Sequence, residues 1–252
     1  MVALMQVGAS LTIRNSTFIS SNANKLGGAL YLTPGATLII ENSLFENCTA
    51  QNAGGAIYAK GTILNITDSV VRDCVSKEEG GGIRVSTDSK MNALRLLIVG
   101  CSSTHDDAGG IYASTRCIVN LWDCEIRDCQ ADDDAGGISV NSDSIMNAHR
   151  LLVIGCSTKD DGGGIAANFR CIVNLWDCDI RNCRSSGAPT DSDSGGAISL
   201  FKDTILNGYT LTLQDNFAWD NGGAIYASTR CEGVNVYAHA RVRFVMKNCL
   251  RI

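Results

Sequence analysis

Residues 136–156 read GGISVNSDSIMNAHRLLVIGC, and residues 79–101 read EGGGIRVSTDSKMNALRLLIVGC. The two stretches match residue for residue over most of their length, 55 positions apart. A Gly pair opens each and a Cys closes each. Working outward, a Gly pair followed by an aliphatic residue recurs along the chain, placing Leu30, Ile57, Ile83, Ile111, Ile138, Ile165, Ile198 and Ile225 in one column. Successive members are 27, 26, 28, 27, 27, 33 and 27 residues apart. A second column lies nine or ten residues ahead of nearly every one: Ser21, Cys48, Cys74, Cys101, Cys129, Cys156, Cys183 and Asn216. The 55-residue echo is thus a two-repeat duplication laid over a basic period near 27.

Counting back from the Cys column, position −10 holds Leu11, Leu38, Leu64, Met91, Val119, Met146, Val173 and Leu206, and position −8 is also mostly aliphatic. Position −3 holds Phe18, Phe45, Val71, Ile98, Ile126, Val153, Ile180 and Leu213. Alternation in short runs means strands, and no window sustains a 3.6-residue period. Three short strands per repeat, punctuated by Gly, Asn, Ser and Asp, predict an all-β chain: a parallel β-helix of about nine coils, partial ones included. Residues 1–252 then form a single repeat domain, with residues 184–194 an extended loop where the period lengthens. Stacking at about 4.8 Å turns each column into a ladder of like residues. The Gly pairs are corners that a Cβ would obstruct. No phosphate-binding glycine motif opens a helix.

The motifs GGAL and GGAI, at Gly27, Gly54, Gly195 and Gly222, resemble one half of the repeat of polymorphic outer-membrane proteins, the passengers of bacterial autotransporters. The other half of that repeat, FxxN, resembles LQDN ending at Asn216, with Cys taking the Asn place in FENC, VRDC, IRDC and IRNC. The resemblance implies a right-handed, pectin-lyase-like β-helix at a cell surface or secreted, acting in adhesion without catalysis. A glycan or a host or cell-surface protein would be its partner. The same class implies an alternative, a polysaccharide lyase or hydrolase. The Asn column is largely Cys here, and no β-barrel translocator is recognisable.

Net charge is −5, so no basic footprint points to nucleic acid. No apolar run approaches the ~20 residues of a membrane span. The opening residues lack the basic start and apolar core of a signal peptide. The chain begins and stops within a coil without a polar cap, which predicts an excerpt of a longer protein. Sequons at Asn15, Asn47 and Asn65 matter only in a eukaryotic secretory route.

Three ladders are candidates for function. Of the twelve Cys residues, Cys48, Cys74, Cys101, Cys129, Cys156 and Cys183 form a structural ladder, read as reduced and buried. In-register Cβ atoms ~4.8 Å apart exceed the usual disulfide range. Cys124 with Cys129, and Cys178 with Cys183, share coils and stay open as bridges, with Cys117 and Cys171 competing. Acidic residues before the Gly pairs form an edge that includes Asp106, Asp107, Asp133, Asp134, Asp160 and Asp161. A solvated edge is the plain reading, and Ca²⁺ held between adjacent turns is the sharper one; no other cofactor is implied. Lying beside Ser and Gly, these acids are expected to keep ordinary pKa values. No catalytic constellation accompanies His105, His149 or His239.

The third ladder lies on the outward face of the strand bearing positions −10 and −8. Position −9 is Asn in six consecutive repeats, including Asn120, Asn147 and Asn174. Position −7 reads Trp122, His149, Trp176 and Tyr209, and position −11 supplies Ile63, Ile118, Ile145, Ile172 and Ile205. An apolar, aromatic stripe beside amides could stack sugar rings, dock a protein or lie under a flanking segment. The amides could equally bond to one another along the stack.

Overall fold

The computed structural model describes residues 3–5, 9–186, 194–228 and 233–237. Their strands form four parallel sheets, each pairing one coil with the next. A representative coil runs Ile111–Ala113 in sheet A, Ile118–Trp122 in sheet B, Glu125–Arg127 in sheet C and Gln130–Ala131 in sheet D. Sheets A and B have nine strands, and sheets C and D have eight. The chain is therefore an all-β parallel solenoid of about eight turns, close to the nine expected. The number of strands per coil is corrected from three to four. Sheet D strands are two residues long, too short to leave a period-two signature. Part of the expected 184–194 loop is also strand, because Arg184–Ser185 belongs to sheet D; residues 187–193 lie outside the described residues.

Register follows the sequence columns. Leu64, Met91, Val119, Met146 and Val173 are successive partners in sheet B, and Val71, Ile98 and Ile126 in sheet C. All are buried. Between sheets B and C the chain turns on one residue with positive φ, as at Asn42, Asp68, Arg95, Asp123 and Arg150. A second such corner follows sheet C, at Asn47, Asp73 and Asp128. Asn and Asp tolerate this left-handed conformation better than most residues. The Gly pair turns sheet D into sheet A. At Gly109 a Cβ would lie 2.4 Å from the backbone N and O of Gln130, so no side chain fits there.

The core explains why the chain repeats over two coils. In the middle of the stack, position −8 reads Ala93, Leu121, Ala148, Leu175, Gly208. Position −5, just past the corner, reads Leu96, Cys124, Leu151, Cys178, Leu211. All but Gly208 are buried hydrophobic residues. Each coil thus carries one large and one small side chain here, and the assignment swaps at every step. Interiors are close-packed, so a coil with two large groups would be overfilled and one with two small groups would hold a void. The thiol of Cys124 sits against the carbonyl of Ala93 one coil below, at 3.7 Å. Cys178 repeats this against Ala148 at 3.5 Å.

Candidate functional site

The outward column of sheet A begins with bulky groups, Tyr31, Tyr58, Arg84 and Tyr112. It then shrinks to Ser139, Ala166 and Ser199 before Tyr226. Arg84 lies between the rings of Tyr58 and Tyr112, at 5.5 and 5.2 Å from their centroids, and pairs with Glu79. Over the coils with small residues runs an open groove of about 570 Å³. Asp133, Asp134, Asp160 and Asp161 line it together with Asn168, Phe169, Phe201 and Lys202. Phe169 is 49% exposed and sits at a positive φ of 61°, on the tight turn between sheets A and B.

The acids beside this groove form a staircase. Asp107 Oδ1 accepts the backbone N–H of Asp134 at 3.1 Å, and Asp134 Oδ1 accepts that of Asp161 at 3.3 Å. Asp161 Oδ1 accepts that of Ser194 at 2.6 Å. Each carboxylate thereby ties its own coil to the next. Asp107 is only 9% exposed, with Ser139 Oγ and Asn141 Nδ2 each 3.4 Å from Oδ2. Burial, reinforced by the charges of Asp134, Asp106 and Asp133, pushes its pKa up to about 8. Burial raises Asp134 to about 6, against the lowering effect of its 3.0 Å hydrogen bond from Asn168. This corrects the expectation of ordinary carboxylates. The turns of neighbouring coils cover these acids, although their neighbours in sequence are small and polar.

Carboxylate oxygens of Asp106, Asp107 and Asp133 lie within 4.8 Å of one another, as do those of Asp133, Asp134 and Asp160. Such hard oxygen donors, drawn from adjacent coils, have the character that Ca²⁺ requires. Asp161 belongs to neither trio.

On sheet B the outward columns are laid out as follows. Asn65, Asn92, Asn120, Asn147, Asn174 and Asn207 form an amide ladder, in which each Nδ2 from Asn92 onward donates to the Oδ1 one coil below at 2.7–2.9 Å. Trp122, His149, Trp176 and Tyr209 stack along the helix axis. Their interplanar angles are 3–4° and their centroids are 6.3, 4.4 and 5.6 Å apart. The rings cover one another's faces and turn their edges outward. A sugar ring packs on an aromatic face, and within this column the faces are already occupied.

The family model for the right-handed beta helix region matches residues 3–150, more than half of the chain. The chain belongs to that family. No curated protein and no solved structure matches it. Among the described residues no helix is long and apolar enough to cross a membrane.

Inside this right-handed β-helix the ten described cysteines are all unbridged and buried, including Cys117, Cys124, Cys171 and Cys178; Cys231 and Cys249 lie outside the described residues. The thiols of Cys48, Cys74, Cys101, Cys156 and Cys183 each point at the position −3 carbonyl one coil below, at 3.6–3.9 Å. Asn216, in the same column, makes stronger versions of these contacts. Its Nδ2 donates to Ile180 O, and its Oδ1 accepts from Cys183 N, both at 2.9 Å. A Cys in this column offers a weak S–H donor where Asn offers an amide N–H, and it lacks the amide's carbonyl acceptor. Burial pushes Cys171 and Cys178 up to about 11, which keeps both as neutral thiols.

Reading the sequence missed Asn168, Phe169 and Phe201, which line the groove with the acids, and Asn141, which bonds Asp107. No repeat column pointed to Asn168, Phe169 and Phe201, because they lie at the end of sheet A and the turn that follows it.

Proposed function

We propose that this β-helix is a non-enzymatic binding domain, secreted or displayed at a cell surface like the autotransporter passengers it resembles. Its ligand is a glycan held in the groove over sheet A. The supporting observation is the groove itself, whose size lies within the usual range for ligand sites. Carboxylates from two coils stand together there with an exposed aromatic ring. Ca²⁺ takes six to eight oxygens, so three carboxylates leave positions for vicinal hydroxyls of a sugar. The Phe169 ring offers an apolar surface to a sugar's C–H face.

A glycan array probed with the chain in Ca²⁺ and in EDTA is the test. Binding that vanishes in EDTA, and with Asp133→Asn or Phe169→Ala, supports the reading. Binding indifferent to all three contradicts it. A second reading, a polysaccharide lyase or hydrolase, draws on the separation of the Asp107 and Asp134 pKa values. Burial raises both carboxyls and Asp107 further than Asp134, the kind of separation that general acid–base work uses. Shortening of an acidic polysaccharide by the wild type, and not by Asp134→Asn, would favour that reading.

A further inference from the structure

The outer face of sheet B carries no Asp, Glu, Lys or Arg in its three columns from Ile118 to Tyr209. Ile118 is 38% exposed there. Charges border the face on both sides, and they alternate in sign coil by coil. One margin reads Asp68, Arg95, Asp123, Arg150, Asp177, and the other Asp88, Arg116, Asp143, Arg170, Asp203. Each Arg clasps the Asp one coil below through two hydrogen bonds of 2.5–2.8 Å. With three Asp and two Arg in each, the margins are close to neutral but strongly patterned.

We propose that two copies of this chain pair antiparallel through the outer faces of sheet B. The alternation makes the face complementary to itself. A two-fold axis passing between the coils of Trp122 and His149 sets Asp123 opposite Arg150 of the second copy, and Arg95 opposite its Asp177. On the other margin Arg116 meets Asp143 of the second copy, and Asp88 meets its Arg170. In the centre Ile118 meets Ile145, Asn120 meets Asn147 and the Trp122 ring edge meets His149. Each ladder amide uses one N–H and one lone pair along its own column and keeps one of each for the opposite copy. The stacked side-chain ladders favour a flat sheet, which can mate over its whole length. Seven residues across at ~3.3 Å and the six coils from Ile63 to Ile205 at ~4.8 Å give roughly 670 Å² per copy, near the ~800 Å² of a standard interface; within them Lys90, the one charge in the three columns, faces Ile172 of the second copy.

The face is not the groove of sheet A, so the proposal stands or falls apart from glycan binding. Its test is light scattering after gel filtration of the full chain from about 1 to 100 μM. A dimer is expected. Ile118→Lys together with Ile145→Lys brings lysines face to face across the axis and should give a monomer with an unchanged circular dichroism spectrum. Arg116→Gln leaves core and stripe intact and should weaken the dimer about tenfold, as should raising the salt. A wild type that is monomeric throughout, alone or captured by some other partner, overturns the proposal. So does a dimer indifferent to either variant.

Discussion

The first coils and the middle coils share one backbone path but solve the same packing problem differently. From Ala9 to Ser76 each coil copies the last. Position −8 is Ile13, Ile40, Ile66, and position −5 is Ser16, Ser43, Ser69. The serines form their own ladder: Ser16 N donates to Ser43 Oγ at 3.2 Å and Ser43 N to Ser69 Oγ at 3.1 Å. A hydroxyl that bonds along the column suits a one-coil repeat, because every coil needs the same group. From Ile83 to Leu213 the polar ladder gives way to apolar groups, and size becomes the constraint. Large and small then alternate, and the natural copying unit becomes two coils. The surface follows the same rule. Identical charges stacked ~5 Å apart repel, so the margins alternate Asp with Arg, whereas the first coils place Arg14 against Glu41 and Arg72 against Glu46.

The comparison breaks most readily at the core. Leu121→Ala leaves its coil with two small groups, Ala and Cys124, and should cost about 2–5 kcal/mol, read as a fall in the thermal midpoint. A cost under about 1 kcal/mol would mean that the coil's volume is not constrained.

The next effect comes from the acid staircase, which begins at Asp107; the first coils have Ala53 in the equivalent turn position. Asp107 titrates near 8 in the folded chain and near 4 when unfolded, so between these values the folded state holds the extra proton. Stability should therefore fall as pH rises from about 4 to 8, by a few kcal/mol at most. The Arg-paired Asp68, Asp88, Asp123 and Asp143 have lowered pKa values and act in the opposite sense, but only in the acid range below that window. Melting midpoints at pH 5 and pH 8 should differ in the wild type and draw closer in Asp107→Asn, the remaining difference coming from Asp134, whose carboxyl is also raised by burial. A flat wild-type profile would contradict the burial of this carboxyl.

Smallest of all, Arg150→Gln should barely move the urea midpoint, because its pair with Asp123 is solvent-exposed. A large fall in that midpoint would show that the margins carry the stack.

Columns were legible because a stacked coil converts period into position. Leu64, Met91 and Val119 could be aligned on paper and are partners in space. The Asp107 shift was not legible, since its burial comes from the next coil, 27 residues and more away, through Asp134, Ser139 and Asn141. Ring orientation was hidden as well. Spacing puts Trp122, His149 and Trp176 in one file, but only side-chain torsions decide whether faces meet sugars or each other. The swap of large and small groups was present in the sequence. It emerges only when positions −8 and −5 are read as a pair, because neither column alone looks like a rule.

A double-mutant cycle on Leu121 and Cys124 tests volume compensation within a coil most directly. Leu121→Cys should destabilise by leaving a void, and Cys124→Leu by overfilling. The exchange carrying both should recover much of the combined loss, with a coupling of about 1–3 kcal/mol. Losses that simply add would contradict the claim that each coil conserves the sum of the two side chains.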